Sequence, residues 1–428
     1  MRTRSTVAVG KTIKQLMRLR GGGSALPGLV AERIDPDFMR RCLAQLPHGV
    51  VLISGTNGKT TTTKMVVELL ESQNLKVFTN RTGSNFTRGV TAALLGEVNS
   101  RGELDADIAV LELDEAHAVH FVRRVKPTYS LFLNVLRDQL DRFGEIDHTA
   151  QLLRKIAEAT TDGIVLNRDD PRLGAPAFIK DLTVKSVRTY GVSTKLLQQF
   201  PSDEQMRDAD AVVVTSHHPT LRDDTSLEAI RDTTAAIQFG STTHEVTLKL
   251  KGIYNIQNAV GAIALVRMIM GKALQVPAML SSLAAVEPAF GRGETIMVDG
   301  TPLELVLVKN PSGFRLSLSS FNPEHTATMV AINDNYADGR DMSWLWDVDF
   351  DRLKAGVDVI GGIRAYDMAL RLQYDEIEVR HVEVSLPRAL REFLAHNTDQ
   401  AKRIYCTYTA MLQLRRELSK IADVKVVS

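Results

Sequence analysis

Residues 50–61 read Val-Val-Leu-Ile-Ser-Gly-Thr-Asn-Gly-Lys-Thr-Thr: a short apolar run, a tight Gly-x-x-Gly-Lys-Thr turn, then a helical pattern. Backbone N–H groups between Gly55 and Lys59 can converge on an anion there, and the start of the following helix adds partial positive charge. Gly55, Thr56, Asn57, Gly58, Lys59, Thr60 and Thr61 are therefore read as a phosphate cradle. Lys59 suits the β- and γ-phosphates of a nucleotide, and the Thr60 hydroxyl suits Mg2+. The common form of this loop has a further glycine where Ile53 stands, so this is a shortened variant. Gly-Lys-Thr triplets also occur in ordinary strand-ending turns; the flanking strand and helix patterns favour the phosphate.

Acidic residues follow where such a site needs them. Residues 108–115 form an apolar run ending in Glu112, Asp114 and Glu115. Ligands collect at the carboxyl ends of strands in open α/β sheets, and carboxylates there can hold Mg2+ against phosphate oxygens. Glu112 and Glu115 are the metal candidates; the other reading is an acidic cluster starting the next helix. A second segment, 134–145, follows another strand-like run, and its Asp138 and Asp141 would share one face if it is helical.

The elements that must position these residues are visible as periodicity. Strand-like runs at 50–54, 76–79, 108–113, 128–133 and 164–167 alternate with helical patterns, which predicts a parallel sheet covered on both faces. Met65, Val66, Leu69 and Leu70 recur at helical spacing and belong to a core. Residues 168–250 are less regular, rich in Asp, Ser and Thr around 201–225, and an irregular, exposed insertion is expected at about 190–240. A second unit begins near Asp299, with strand-like runs at 303–308, 326–332, 356–360, 376–380 and 403–407. Helical patterns at 364–373, 386–395 and 409–421 separate them, and Pro288 with Gly291-Arg292-Gly293 suggests a hinge. The expected fold class is α/β, divided into a helical segment and linker at 1–48, an ATP-binding parallel-sheet domain at 49–296, and a smaller Rossmann-like domain at 297–428.

Composition narrows the function classes. Lys and Arg total 52 against 51 Asp and Glu, so the whole molecule has no polyanion-binding signature. Cys42 and Cys406 lack paired spacing, which points to a reducing compartment without a disulfide frame. No apolar run approaches a membrane span and no signal peptide is visible, so a cytoplasmic location is expected. Residues 1–31 carry Arg2, Arg4, Lys11, Lys14, Arg18 and Arg20 and no acid, with Ile13, Leu16, Met17 and Leu19 available to line one helix face. Such a helix either docks on its own protein ahead of Gly21-Gly22-Gly23 or meets the anionic cytoplasmic face of a membrane; docking is the simpler reading.

Taken together the motifs resemble the Mur ligase superfamily. The loop Gly55–Thr61 is similar to its phosphate loop; 134–141 resembles its Asn-x-x-x-Asp-His-x-Asp segment with Gln139 for histidine; 166–171 resembles its Leu-Asn-x-Asp-Asp segment. Residues 252–259 resemble the Gly-x-His-Asn-x-x-Asn-Ala helix start, with Tyr254 for histidine, and Gly291-Arg292-Gly293-Glu294 matches a Gly-Arg-x-Glu turn. Asn255, Asn258 and Arg292 are thereby implied as nucleotide contacts. Residues 309–313 and 334–341, followed by Ser343-Trp344, resemble the C-terminal domain of MurT-type subunits of lipid II isoglutaminyl synthase, as do 26–28 and 137–147. The peptide-stem ligases have Asp-Tyr-Ala-His-Asn-Pro where Asn335-Tyr336-Ala337-Asp338 is read here.

This resemblance implies ATP-dependent amidation of the D-glutamate α-carboxylate of lipid II through an acyl phosphate, with ATP and Mg2+ and with ammonia from a GatD-type glutaminase subunit in a heterodimer. It implies catalytic roles for Lys59 and for an aspartate of the 334–341 loop, Asp341 before Asp338, which would orient the partner's Cys-His pair. The alternative for these aspartates is a loop cap or a nucleotide contact, and Asp334 and Asn335 are placed with the nucleotide. The four-cysteine zinc ribbon of some members has no cysteines to build it here, and His217-His218 lack metal partners, so no zinc site is expected. Other readings are a stand-alone amino-acid ligase and an ATP-binding scaffold that activates a glutaminase.

Overall fold

The computed structural model describes residues 2–19, 25–80, 86–138, 146–202, 224–288, 292–320, 325–396 and 400–424. The first sheet contains β1 (Val50–Ser54), β2 (Val77–Thr79), β3 (Ile108–Glu112), β4 (Tyr129–Phe132), β5 (Gly163–Asn167), β6 (Ser186–Val192), β7 (Thr225–Arg231), β8 (Thr234–Phe239) and β9 (Thr242–Thr247). Their order is β2-β3-β1-β4-β5-β6-β7-β8-β9, parallel as far as β7, with β7, β8 and β9 an antiparallel meander. β1, β3 and β5 are buried along their whole length, which is why their sequences are continuous apolar runs rather than alternating ones. One face packs on the helices Lys59–Glu71 and Ile253–Met270, the other on a core that includes Phe38, Phe121, Phe132 and Phe178.

Two expectations are corrected. The stretch expected to be irregular carries β6, β7 and β8; only 203–223, which includes His217 and His218, falls outside the described residues. Those strands place their core residues, such as Tyr190, Leu227, Ile237 and Phe239, singly among polar or small ones, so no continuous apolar run marks them. Contrary to the hydropathy reading, the helix Ile253–Met270 and its following turn are long and apolar enough to cross a membrane. Ile256 through Val266 are nevertheless buried against the sheet, as a core helix should be.

The N-terminal helix Arg2–Leu19 docks on the protein itself. It buries Thr6, Val7 and Gly10, where a Cβ would strike Leu95, while Leu16 is exposed. Lys11 and Lys14 donate to the carbonyls of Val98 and Ala92 on and beyond the helix Thr87–Glu97.

The second sheet contains β10 (Arg292–Val298), β11 (Thr301–Leu307), β12 (Thr326–Ala331), β13 (Val357–Gly361), β14 (Val379–Glu383) and β15 (Ala401–Cys406). Its order is β10-β11-β15-β12-β13-β14, with only the β10–β11 pair antiparallel. Both faces are covered, one by Leu390, Phe393 and Leu414, the other by Phe314, Trp344 and Phe350. The parallel strands end on one edge, and the segments leaving β11 and β12 at that edge carry Lys309, Asn310 and the loop 333–341.

Candidate active site

The turn after β1 is shaped by its glycines. Gly55 and Gly58 have φ of +138° and +88°, and a Cβ on them would meet the Asn134 backbone at 3.0 Å and the Asn258 amide at 2.5 Å. Asn134, which follows β4, frames the loop: its Oδ1 accepts from Asn57 N at 2.9 Å, and its Nδ2 donates to Asn57 O at 3.0 Å. Thr56 is tied to the same segment through Leu136, donating to its carbonyl and accepting from its N–H. The loop is therefore preorganised by β4 as well as by its own sequence.

Lys59 opens the next helix and is buried. Its Nζ donates to Gly55 O at 2.5 Å and Thr56 O at 3.2 Å and faces Glu115 at 3.5 Å. Burial favours loss of its proton, but Glu115, Asp114, Asp138 and Glu112 outweigh that and keep the ammonium charged. The Thr60 hydroxyl donates to Glu112 Oε1 at 2.8 Å, and Asn80 clamps the Glu112 backbone through both its amide atoms. Asp114 is the N-cap of the helix Glu115–Val122, accepting from Glu115 N. The capping role thus falls to Asp114, leaving Glu112 and Glu115 directed at Thr60 and Lys59.

Glu115 is almost fully buried, and its Oε1 has no hydrogen-bond partner among the described residues. Burial pushes its carboxyl up to about 7 against the pull of Lys59, whereas for Asp114 the bond from Glu115 and the Lys59 charge outweigh burial and hold it low. The Thr60 hydroxyl bonded to Glu112, with the orphaned Glu115 oxygen across Lys59 from them, supplies the oxygen chemistry that suits a hard divalent ion.

Next to this cluster lies a cavity of about 190 Å3, walled by Gly58, Asn134, Phe200, Tyr254, Asn258 and, from the second domain, Lys309. Asn255 and Asn258 are on its wall, with Asn255 also donating to Lys251 O at the turn that opens its helix. Phe200 and Tyr254 meet edge to face at 5.7 Å and supply an apolar side suited to a base. Thr61 also lines the cavity. Arg292 begins β10, but its side chain is not among the described ones; Gln139 and Asp141 are likewise outside the described residues.

The second-domain aspartates stand apart from the cavity wall. Asp334 is paired with Arg364 at 2.6 Å and Asn335 donates to Thr409, so the structure places neither on the nucleotide cavity, correcting their placement there. Asp338 is buried and accepts from Thr409 N at 2.7 Å, Thr409 Oγ1 at 2.5 Å and Asn335 N at 3.1 Å. Asp341 is half-buried and bonded locally to Ser343, through that residue's side chain and through its N–H at 2.9 Å, which together keep Asp341 below the ordinary carboxylate range. Of the second domain, Lys309 and Asn310 reach the phosphate loop instead. Asn310 exchanges bonds with the Asn57 side chain at 3.2 and 3.5 Å and donates to Asp138 at 3.0 Å. The sequence signal for this contact was their position directly after a strand-like run, where a parallel sheet presents its ligand-facing ends.

A Mur ligase middle domain matches residues 53–266, half of the chain, and a MurT ligase C-terminal domain matches 307–411. The chain belongs to the Mur ligase family, in its MurT branch. The lipid II isoglutaminyl synthase (glutamine-hydrolyzing) subunit MurT of Streptococcus pneumoniae is 28% identical over 454 residues, spanning 98% of this chain and 97% of that one. The fold is similar to a pseudomurein peptide ligase type C from Methanothermus fervidus, with a TM-score of 0.67 at 18% identity, covering 90% of this chain and 81% of that one. It is also similar to the MurF ligase of Thermotoga maritima solved with ADP, with a TM-score of 0.65 at 15% identity, covering 90% and 84%. As a MurT-type Mur ligase, the chain is an ATP-dependent ligase.

Proposed function

We propose that this MurT-type chain amidates the α-carboxylate of D-glutamate in the stem peptide of lipid II to D-isoglutamine, with ammonia delivered by a GatD-type glutaminase subunit. The observation that carries this reading is the convergence of Lys59, Thr60, Glu112 and Glu115 on one strand edge, in a chain similar along nearly its whole length to a glutamine-hydrolysing lipid II synthase subunit.

A carboxylate resists attack by ammonia until it carries a better leaving group. Its oxygen forms a bond to the γ-phosphorus of ATP while the bond from phosphorus to the bridging oxygen breaks, and that electron pair leaves on ADP. Ammonia then adds to the acyl carbon, phosphate departs with the carbon–oxygen pair, and a proton is lost. Lys59 and the loop N–H groups offset the charge on the phosphates, and Asn134 keeps the loop in that shape. Thr60, Glu112 and Glu115 would hold Mg2+, which when bound would offset the negative charge of the phosphates.

The glutaminase chemistry is assigned to another chain because neither cysteine suits it. Cys42 and Cys406 are both buried, and burial pushes Cys42 up to about 12 and Cys406 higher still, far from a reactive thiolate. Asp341, the least engaged of the loop aspartates, is our choice for the acid that orients the partner's histidine. The same reading puts the reaction in the cytoplasm, where ATP and glutamine are supplied, at the membrane face that presents a lipid-linked substrate.

Purified chain incubated with ATP, lipid II and an ammonium salt, without any partner, should form the amide and ADP together. Extension by a free amino acid, with no amide from ammonia, would replace this reading by the amino-acid ligase.

A further inference from the structure

Lys309 leaves the carboxyl end of β11 and crosses from the second domain to the phosphate loop of the first. Its Nζ donates to Thr56 O at 3.3 Å, stands 3.6 Å from Asp138, and lines the cavity beside Gly58. The neighbouring Asn310 is fully buried and makes the side-chain bonds that seat the second domain on Asn57 and Asp138. Ser312 adds a bond to Arg137 O. The joint between the domains is carried by Asn310 and Ser312 together with the pairs Lys251–Glu304 and Arg137–Asp347. A lysine side chain 38% exposed, at ion-pair rather than hydrogen-bond distance from its carboxylate, adds little to it.

We infer that Lys309 is a second phosphate-contacting cation, which touches the phosphoryl group in transit from ATP to the substrate carboxylate; this rests on the transfer reading above. Charge balance at the site motivates it. Glu112, Asp114, Glu115 and Asp138 all act on Lys59, whose ammonium is already engaged by the loop carbonyls and Glu115. One lysine so committed has little left for the incoming phosphoryl group, and Lys309 is a cation that the second domain brings to the same loop. On this assignment phosphoryl transfer requires both domains, although the phosphate loop lies wholly in the first.

The test exploits the burial of both native cysteines. In the full chain, Lys309→Cys should lower ammonia-dependent amidation roughly 10²-fold, as loss of one preorganised charge at a transition state does, while the KM for ATP moves less than about tenfold. Alkylating that cysteine with 2-bromoethylamine rebuilds an ammonium at nearly the same length and should recover most of the lost kcat, and Lys309→Arg should fall between the two. A merely structural strut would lower the melting temperature instead and show no charge-dependent recovery of kcat. The assignment is overturned if the cysteine variant keeps its rate within about threefold, or if it stays folded and alkylation restores nothing. Wild-type chain that makes neither ADP nor amide would overturn the proposed reaction, and this role with it; active wild type beside an equally active variant overturns the Lys309 role alone.

Discussion

Carboxylates gather at a strand edge in both domains, yet the two sets are built differently. At the first sheet, Glu112 and Glu115 are buried, and one Glu115 oxygen lacks a hydrogen-bond partner among the described residues. At the second, Asp334 has Arg364, Asp338 has Thr409 and Asn335, and Asp341 has the Ser343 N–H. A buried set with an unmet oxygen is costly as it stands and is made whole by something from outside, such as a cation. A set with its bonds made holds its own loop in shape. Asp341 alone combines purely local bonds, both to Ser343, with partial exposure, so it is the member of the second set able to serve another molecule.

Removing Lys59 should expose that contrast most sharply. Lys59→Ala strips the phosphate loop of its buried cation and leaves Glu115 facing no positive charge. Amidation should fall by roughly 10³-fold or more with either glutamine or ammonia as nitrogen source. A scaffold that only activates a glutaminase would keep glutamine hydrolysis and never show ATP-coupled amidation, so measuring both products separates the two.

Asp341→Asn should act on one nitrogen source. With the glutaminase subunit present, the proposed orienting role predicts that glutamine-driven amidation drops on the order of 10²-fold. The ammonia-driven rate should stay within about threefold. Equal losses would move Asp341 from the partner's site into the ligase site.

The first site could be read from sequence because local order and chemistry coincide there: a buried strand, a glycine turn and a helix start are contiguous, so Gly55 to Thr61 carry the geometry themselves. Glu112 was readable for the same reason, as the end of the next apolar run. Asn134 as the brace of the loop, Asn80 as the clamp on Glu112, and Phe200 in the cavity wall come from distant segments that meet only through the sheet order β2-β3-β1-β4 and its extension. Lys309 and Asn310 are marked by their position after a strand-like run, but what they touch depends on how the two domains sit together. The aspartate loop was legible as a motif but not as a geometry: two of the three bonds that fix Asp338 come from Thr409, a residue 71 positions away.

Asp338→Ala should therefore be felt in stability before activity. It leaves the Thr409 N–H and hydroxyl and the Asn335 N–H without their acceptor at a mostly buried position. A loss of about 3 kcal/mol is expected in urea unfolding. Amidation should decline with both nitrogen sources in proportion to the folded fraction. A fully stable variant that loses only glutamine-driven activity would transfer the orienting role from Asp341 to Asp338.

The smallest effect should come from Asp169, on the wall between the cavity and the Arg168 network. Burial pushes its carboxyl up to about 6, opposed by Arg168, the Val192 N–H and Gln257. Because the folded-state value exceeds the ordinary one, the group favours folding most below the unfolded pKa of about 4, and that contribution is lost as pH rises through about 6. Wild-type protein should thus lose stability relative to Asp169→Asn between pH 5 and pH 8, by about 1 kcal/mol once solvent relaxation is allowed for. The asparagine keeps an acceptor for the Val192 N–H, which Asp169 Oδ2 meets at 2.7 Å, so the comparison isolates the charge. Parallel melting curves for the two proteins across that pH range would show instead that this carboxylate stays ionised in the fold although its Oδ1, like Glu115 Oε1, has no hydrogen-bond partner among the described residues.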